Sequence, residues 1–173
     1  MIDFKRLSNT KLQQIGIFFD DPAEAKLFAD FVLEELEVKI GEQISNGMSQ
    51  DQLQEFDRIT NQKESVRWLE RNKPNYRDIV EREQIEMAWN LLKNREKISH
   101  AHIRKEIDDA YRHIYVLNLK PFTYKCLTNA KLNYIDEVLK CEHLRNISGI
   151  DDYRELEIKT CIVNYLIPNL TSA

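Results

Sequence analysis

The side chains able to ligate a metal or attack a carbonyl are few: four histidines (His100, His102, His113, His143) and three cysteines (Cys126, Cys141, Cys161). His100 and His102 are two residues apart, so on a helix they point about 200° from one another and cannot hold one ion from the same face. No carboxylate one turn away completes a triad with clear geometry, and Cys141-Glu142-His143 is equally weak. These histidines are expected to be solvated or capping side chains. An odd cysteine count without CxxC spacing gives neither a disulfide framework nor a zinc knuckle, and apolar neighbours make buried free thiols the expectation.

Nucleophilic catalysis needs a Ser or Cys, a His and an orienting carboxylate brought together by the fold. Neither G-x-S-x-G nor H-E-x-x-H occurs. The four glycines (Gly16, Gly41, Gly47, Gly149) are scattered, as helix ends and turns would place them, and form no phosphate-binding loop. Glu81, Glu83 and Glu86 are interleaved with Arg82 and read as a solvated helix face. The expectation is therefore a non-enzymatic protein with no cofactor and no metal.

Composition sets the class. Of the 173 residues, 42% are hydrophobic and 31% charged, which suits a globular protein with a real core. No apolar run approaches the ~18 residues of a membrane span, and the opening MIDFKRLSNTKLQQ lacks a secretory pattern, so a cytoplasmic address is expected. Residues 114–173 carry seven Lys/Arg and seven Asp/Glu, which leaves the whole net charge of −4 in residues 1–113. A module that holds DNA by electrostatics usually carries a basic surplus, and none is present.

The elements that would position these residues are helices. Ser8 or Asn9 caps a short one that stops at Gly16. Asp21-Pro22 opens a long one whose stripe is Ala25, Phe28, Ala29, Val32, Leu33, Leu36, Ile40 and Ile44. Ser49-Gln50-Asp51-Gln52 is a capping box ahead of Leu53, Phe56 and Ile59, which are expected to be buried. A short helix holds Val66, Trp68 and Leu69. After Asn72-Lys73-Pro74-Asn75, another runs from about Tyr76 to Lys93, with Ile79, Val80, Ile85, Ala88, Trp89 and Leu92 as core. Ser99 is expected to start a connector through Ile103, Ile107 and Tyr111 to Ile114. The one stretch with any strand character is Tyr115-Val116-Leu117. The fold class is all-α.

Within residues 12–82 the pattern Leu12 to Gly16, Gly47 to Phe56, Trp68-Leu69 and Pro74 to Glu81 resembles an uncharacterised helical domain of bacterial proteins, with no activity attached. From Ile114 the order is Leu117-Asn118-Leu119, a helix containing Cys126-Leu127, a short helix through Ile135-Asp136-Glu137-Val138-Leu139, then Leu144-Arg145-Asn146-Ile147. The hairpin Ser148-Gly149-Ile150-Asp151-Asp152 and a last helix with Ile158, Ile162 and Leu166 complete it. This succession, over residues 114–166, resembles the C-terminal domain of the bacterial RNA polymerase alpha subunit. The resemblance implies a helix-hairpin-helix fold whose helix N-termini face phosphates while an arginine enters the minor groove.

The position of that arginine is Phe122, and the asparagine before the cysteine is Lys125. Where the family has glycine and two lysines stands Asp151-Asp152-Tyr153, followed by Arg154. An Asp pair there would satisfy the helix dipole and repel phosphate. Two outcomes follow from the resemblance. In one the module binds protein, with Phe122 and Tyr124 as aromatic anchors. In the other Lys125, Arg154 and Lys159 still make weak contacts with nucleic acid. Phe122 is equally compatible with burial and with exposure.

The organisation expected is a helical bundle over 1–98, a connector over 99–113 and the helix-hairpin-helix module over 114–173. The function expected is a non-catalytic bacterial or phage binding protein making transcription-related protein contacts, with Phe122, Lys125 and Arg154 at the contact surface. The alternative is a DNA-binding transcription regulator. No membrane partner is expected.

Overall fold

The computed structural model describes residues 3–99 and 112–168. Among them lie eight α-helices: α1 (Asn9–Gln14), α2 (Pro22–Ser45), α3 (Gln50–Asp57), α4 (Gln62–Asn72), α5 (Tyr76–Ile98), α6 (Pro121–Asn129), α7 (Ile135–Lys140) and α8 (Asp152–Leu166). Short 3-10 turns occupy Phe4–Arg6, Ile114–Leu117 and Leu144–Asn146. The described chain is all-helical, and its one extended pairing is a single antiparallel bridge between His113 and Tyr134. Tyr115-Val116-Leu117 is thus part of a 3-10 turn and not a strand.

Local chemistry accounts for most helix ends. The Ser8 hydroxyl accepts from Lys11 N–H, and Asp21 accepts from Ala23 N–H with Pro22 in the first turn of α2. Ser49 and Gln52 close a reciprocal capping box on α3. Helix α1 ends when Ile17 N–H reaches the Leu12 carbonyl at 2.9 Å across Gly16, whose φ of 82° is the left-handed conformation that glycine tolerates best. Helix α6 ends with the same bonding, Leu132 N–H to the Leu127 carbonyl at 3.0 Å, but the left-handed residue is Lys131, at φ 62°.

Helix α5 is the central element. It packs on α2 on one side and on α8 and α7 on the other. Its middle turns are accordingly apolar on more than one side, with Ile85, Met87, Ala88, Trp89, Leu91 and Leu92 buried. One buried cluster runs from Phe4 through α1, α2 and α5 to α6, α7 and α8. Trp68 and Leu69 of α4 are buried outside that cluster, with the Phe56 ring tilted against Trp68 at 5.1 Å. Leu53, Phe56 and Ile59, expected to be buried, are only half-buried, because α3 lies against α4 at the edge of the molecule and buries no residue. Ile79 and Val80 are likewise half-buried.

Polar contacts fasten α5 to its neighbours. The Ser99 hydroxyl accepts from Phe18 N–H at 3.0 Å and lies within donating distance of the Gly16 and Arg95 carbonyls. Ser99 therefore closes α5; the connector helix expected to start there falls on residues 100–111, outside the described residues. Lys93 Nζ donates to the Cys141 and Glu142 carbonyls at 2.9 and 3.1 Å. Arg95 pairs with the buried Asp136 at 3.2 Å.

Two charges expected on the surface turn inward. Lys159 is 8% exposed, and its ammonium lies 2.8 Å from Glu86 of α5 and 3.0 Å from Glu155 of its own helix. It is a buried ion-pair residue, which corrects its reading as a surface cation able to reach nucleic acid. Glu86, expected on a solvated face, is half-buried as its partner. The physical reason is common to both: α8 crosses α5 at Lys159, where Trp89 and the carboxylates enclose the ammonium.

Candidate functional site

The outer face of the C-terminal segment is built where the N-terminal ends of α6 and α8 meet. Pro121 starts α6 with the φ that its ring imposes, and Asp151 caps α8 by accepting from Arg154 N–H at 2.9 Å. The turn Ser148-Gly149-Ile150 lies against α6, where residue 149 has no side chain to obstruct it. A Cβ there would sit 2.8 Å from Cys126 Sγ and 3.1 Å from the Phe122 ring, and φ is 88°. This close approach sets Arg154 above Phe122.

Phe122 is 55% exposed, which settles the choice between burial and exposure, and the buried side of α6 is Thr123, Cys126 and Leu127. The Arg154 guanidinium lies over the Phe122 ring, 4.6 Å from its centre, and also meets Asp151. Lys125 is exposed one turn along α6. Phe122 and Arg154 are thus brought into contact, while Lys125 stands beside Phe122 without a described contact to either. Tyr124 is half-buried against the core, 6.4 Å from the His113 ring, and serves packing more than display.

A second cation–aromatic pair adjoins the first. Lys120 Nζ lies 4.3 Å from the centre of the Tyr153 ring, within hydrogen-bonding reach of its hydroxyl, and Tyr153 is 60% exposed. The hydroxyl contact holds the Lys120 ammonium above its ordinary pKa. Sequence reasoning missed this pair because Lys120 and Tyr153 belong to separate helices with no local signal joining them.

Both helix N-termini are closed by the protein's own carboxylates. Glu157 of α8 accepts from Lys120 N–H at 2.6 Å and from the Thr123 hydroxyl at 2.7 Å, capping α6 from across the interface. Asp151 caps α8, and the backbone hydrogen bond from Arg154 holds its carboxyl below the usual range. A phosphate approaching either N-terminus would meet a side-chain carboxyl group already bonded there.

Elsewhere the chemistry is sparse. A cleft of about 330 Å³ lies between α5 and α8, lined by Arg82, Glu86, Arg145, Asp152, Tyr153 and Glu155, with no Ser, Cys or His among the described residues of its wall. Arg145 bridges Asp152 at 3.0 Å and also pairs with Glu155, so its charge is spent within the fold. Cys126, Cys141 and Cys161 are free thiols, the first buried and the others half-buried. His113 accepts from Tyr115 N–H through Nδ1, as a capping histidine, and His143 is exposed. His100 and His102 lie outside the described residues. Among the described residues no cluster of His, Cys, Asp or Glu could hold a metal ion, and no helix is long and apolar enough to cross a membrane.

Residues 12–91 match the model of a family described as a protein of unknown function (DUF5663). The match takes in the segment from Leu12 to Glu81 that carries the loose helical-domain pattern, and it includes α1 to α4 and most of α5. No curated protein and no solved structure matches the chain.

Proposed function

We propose that the chain is a non-catalytic binding protein of bacterial or phage origin, and that its segment from residue 114 is a helix-hairpin-helix module like the RNA polymerase alpha C-terminal domain. In this reading the module makes transcription-related protein contacts. The observation that carries it is the exposed Phe122 ring held under Arg154. Aromatic and arginine side chains are the ones that anchor protein interfaces, and a pre-positioned pair loses little freedom on binding. The adjoining Lys120–Tyr153 pair extends the same face.

Closure of both helix N-termini by Asp151 and Glu157 favours protein over phosphate as the ligand. The second reading, a DNA-binding regulator, draws its support from two exposed cations, Lys120 at the N-cap of α6 and Lys125 midway along it. The experiment is a binding assay of the full chain against purified bacterial RNA polymerase with its sigma factor, beside a duplex-DNA titration at low salt. Binding to polymerase that is lost in Phe122→Ala, with the fold intact, is the expected result. Steeply salt-dependent DNA binding with no polymerase binding would replace this reading with the regulator.

A further inference from the structure

Helix α2 carries a second surface. Its buried side is Ala25, Ala29, Val32 and Leu36, yet Leu27, Phe31 and Val38 are 71%, 57% and 53% exposed. At 100° per residue, positions 27, 31, 34 and 38 fall within an arc of about 60° on the side opposite the core. Apolar side chains thus line both the inner and the outer face of one helix. A helix that only covered the core would be polar outside. Gly41 continues the outer line with open space around it.

The charges along this ridge are one-sided. Glu24, Glu35 and Glu42 flank it on one side and Asp30 and Glu37 on the other, with Glu34 on the line itself; all but the half-buried Glu35 are exposed. The two lysines of α2, Lys26 and Lys39, project nearer the core-facing margins by the same geometry. An apolar ridge between two acidic rails repels nucleic acid, an anionic membrane and a second copy of itself. Its complement is an apolar stripe bordered by lysine or arginine.

We propose that the outer face of α2 docks a basic amphipathic helix of another protein, with Leu27, Phe31 and Val38 as the apolar contacts and the flanking carboxylates selecting the charge. The surface lies within residues 12–91, apart from the Phe122 face, and does not depend on it.

The test is a fluorescence-anisotropy titration of the full chain with a labelled amphipathic Leu/Lys helical peptide, and with a Leu/Glu peptide of the same pattern. The Leu/Lys peptide binds and the Leu/Glu peptide does not. Phe31→Ser and Glu34→Lys each weaken binding about tenfold or more, while Phe122→Ala leaves it unchanged. Because both substituted positions are exposed, an unaltered circular-dichroism melt confirms that the fold survives. Binding insensitive to Phe31→Ser would mean attraction to overall acidity and would overturn the proposal. So would sedimentation as a dimer that Phe31→Ser dissolves, or binding of anionic vesicles through the same face.

Discussion

Arg154 lies 4.6 Å above the centre of the Phe122 ring while its guanidinium also meets Asp151, so one cation serves an aromatic face and a helix cap at once. The arrangement depends on Gly149, whose missing side chain lets the turn before α8 approach α6. Together with Glu157 on the α6 N-terminus, it turns a pair of helix ends into a closed, aromatic-bearing surface.

Gly149→Ala should destabilise the fold by about 2 kcal/mol, the combined cost of a Cβ at positive φ and of overpacking against Cys126 Sγ. Urea unfolding measures it. In the double variant with Cys126→Ala the overpacking part is relieved and the conformational part remains, so the two substitutions should be non-additive. Strict additivity would mean that the 2.8 Å approach has no energetic consequence.

Lys131→Gly should stabilise the chain by about 0.5–1 kcal/mol, because a lysine occupies the left-handed position that ends α6. The same unfolding experiment reads it. Gly16→Ala, at the equivalent position after α1, should cost a similar amount.

Glu155 is subject to two opposing effects. Burial alone would raise its pKa, but hydrogen bonds from Arg145 and Lys159 outweigh this and hold it below the ordinary glutamate value. A carboxyl depressed in the folded state contributes stability at neutral pH and loses it as pH falls through its folded pKa. Thermal unfolding of the wild type should therefore fall off more steeply below about pH 4.5 than that of Glu155→Gln. Parallel curves would contradict the assignment.

Removing one partner from the α5–α8 ion pair should cost more than removing the buried charge. Glu86→Ala removes the α5 carboxylate, leaves Lys159 with Glu155 of its own helix and should destabilise by about 2 kcal/mol, whereas Lys159→Met, which refills the space with an apolar chain, should cost clearly less. Chemical denaturation of the two variants decides the order.

How far the sequence reaches is plain from individual residues. Ser8, Asp21-Pro22, the Ser49/Gln52 box and Gly16 are short-range signals, and each helix end falls where they put it. The apolar spacing of α2 found its core side, but the same pattern contains Leu27, Phe31 and Val38, which are exposed among the described residues. Lys159 looked like a solvated lysine because its burial depends on α8 crossing α5, a contact 73 residues apart. Glu157 gave no sign of capping α6 for the same reason. The sequence leaves the exposure of Phe122 open because Tyr124, Leu127 and Leu119 already supply a core stripe, and in the structure Thr123, Cys126 and Leu127 fill the inner side of α6.

The central claim is that the Phe122–Arg154 face is an interface whose loss leaves the fold standing. Its most direct test is to measure, for Phe122→Ala and Arg154→Ala, affinity for RNA polymerase holoenzyme and unfolding free energy side by side. The account predicts that each variant loses about tenfold or more in affinity while stability changes by no more than about 1 kcal/mol. Leu127→Ala at the buried α6 position should instead cost about 2–5 kcal/mol in stability. Variants that keep full affinity, or lose it only in proportion to lost stability, would contradict the claim.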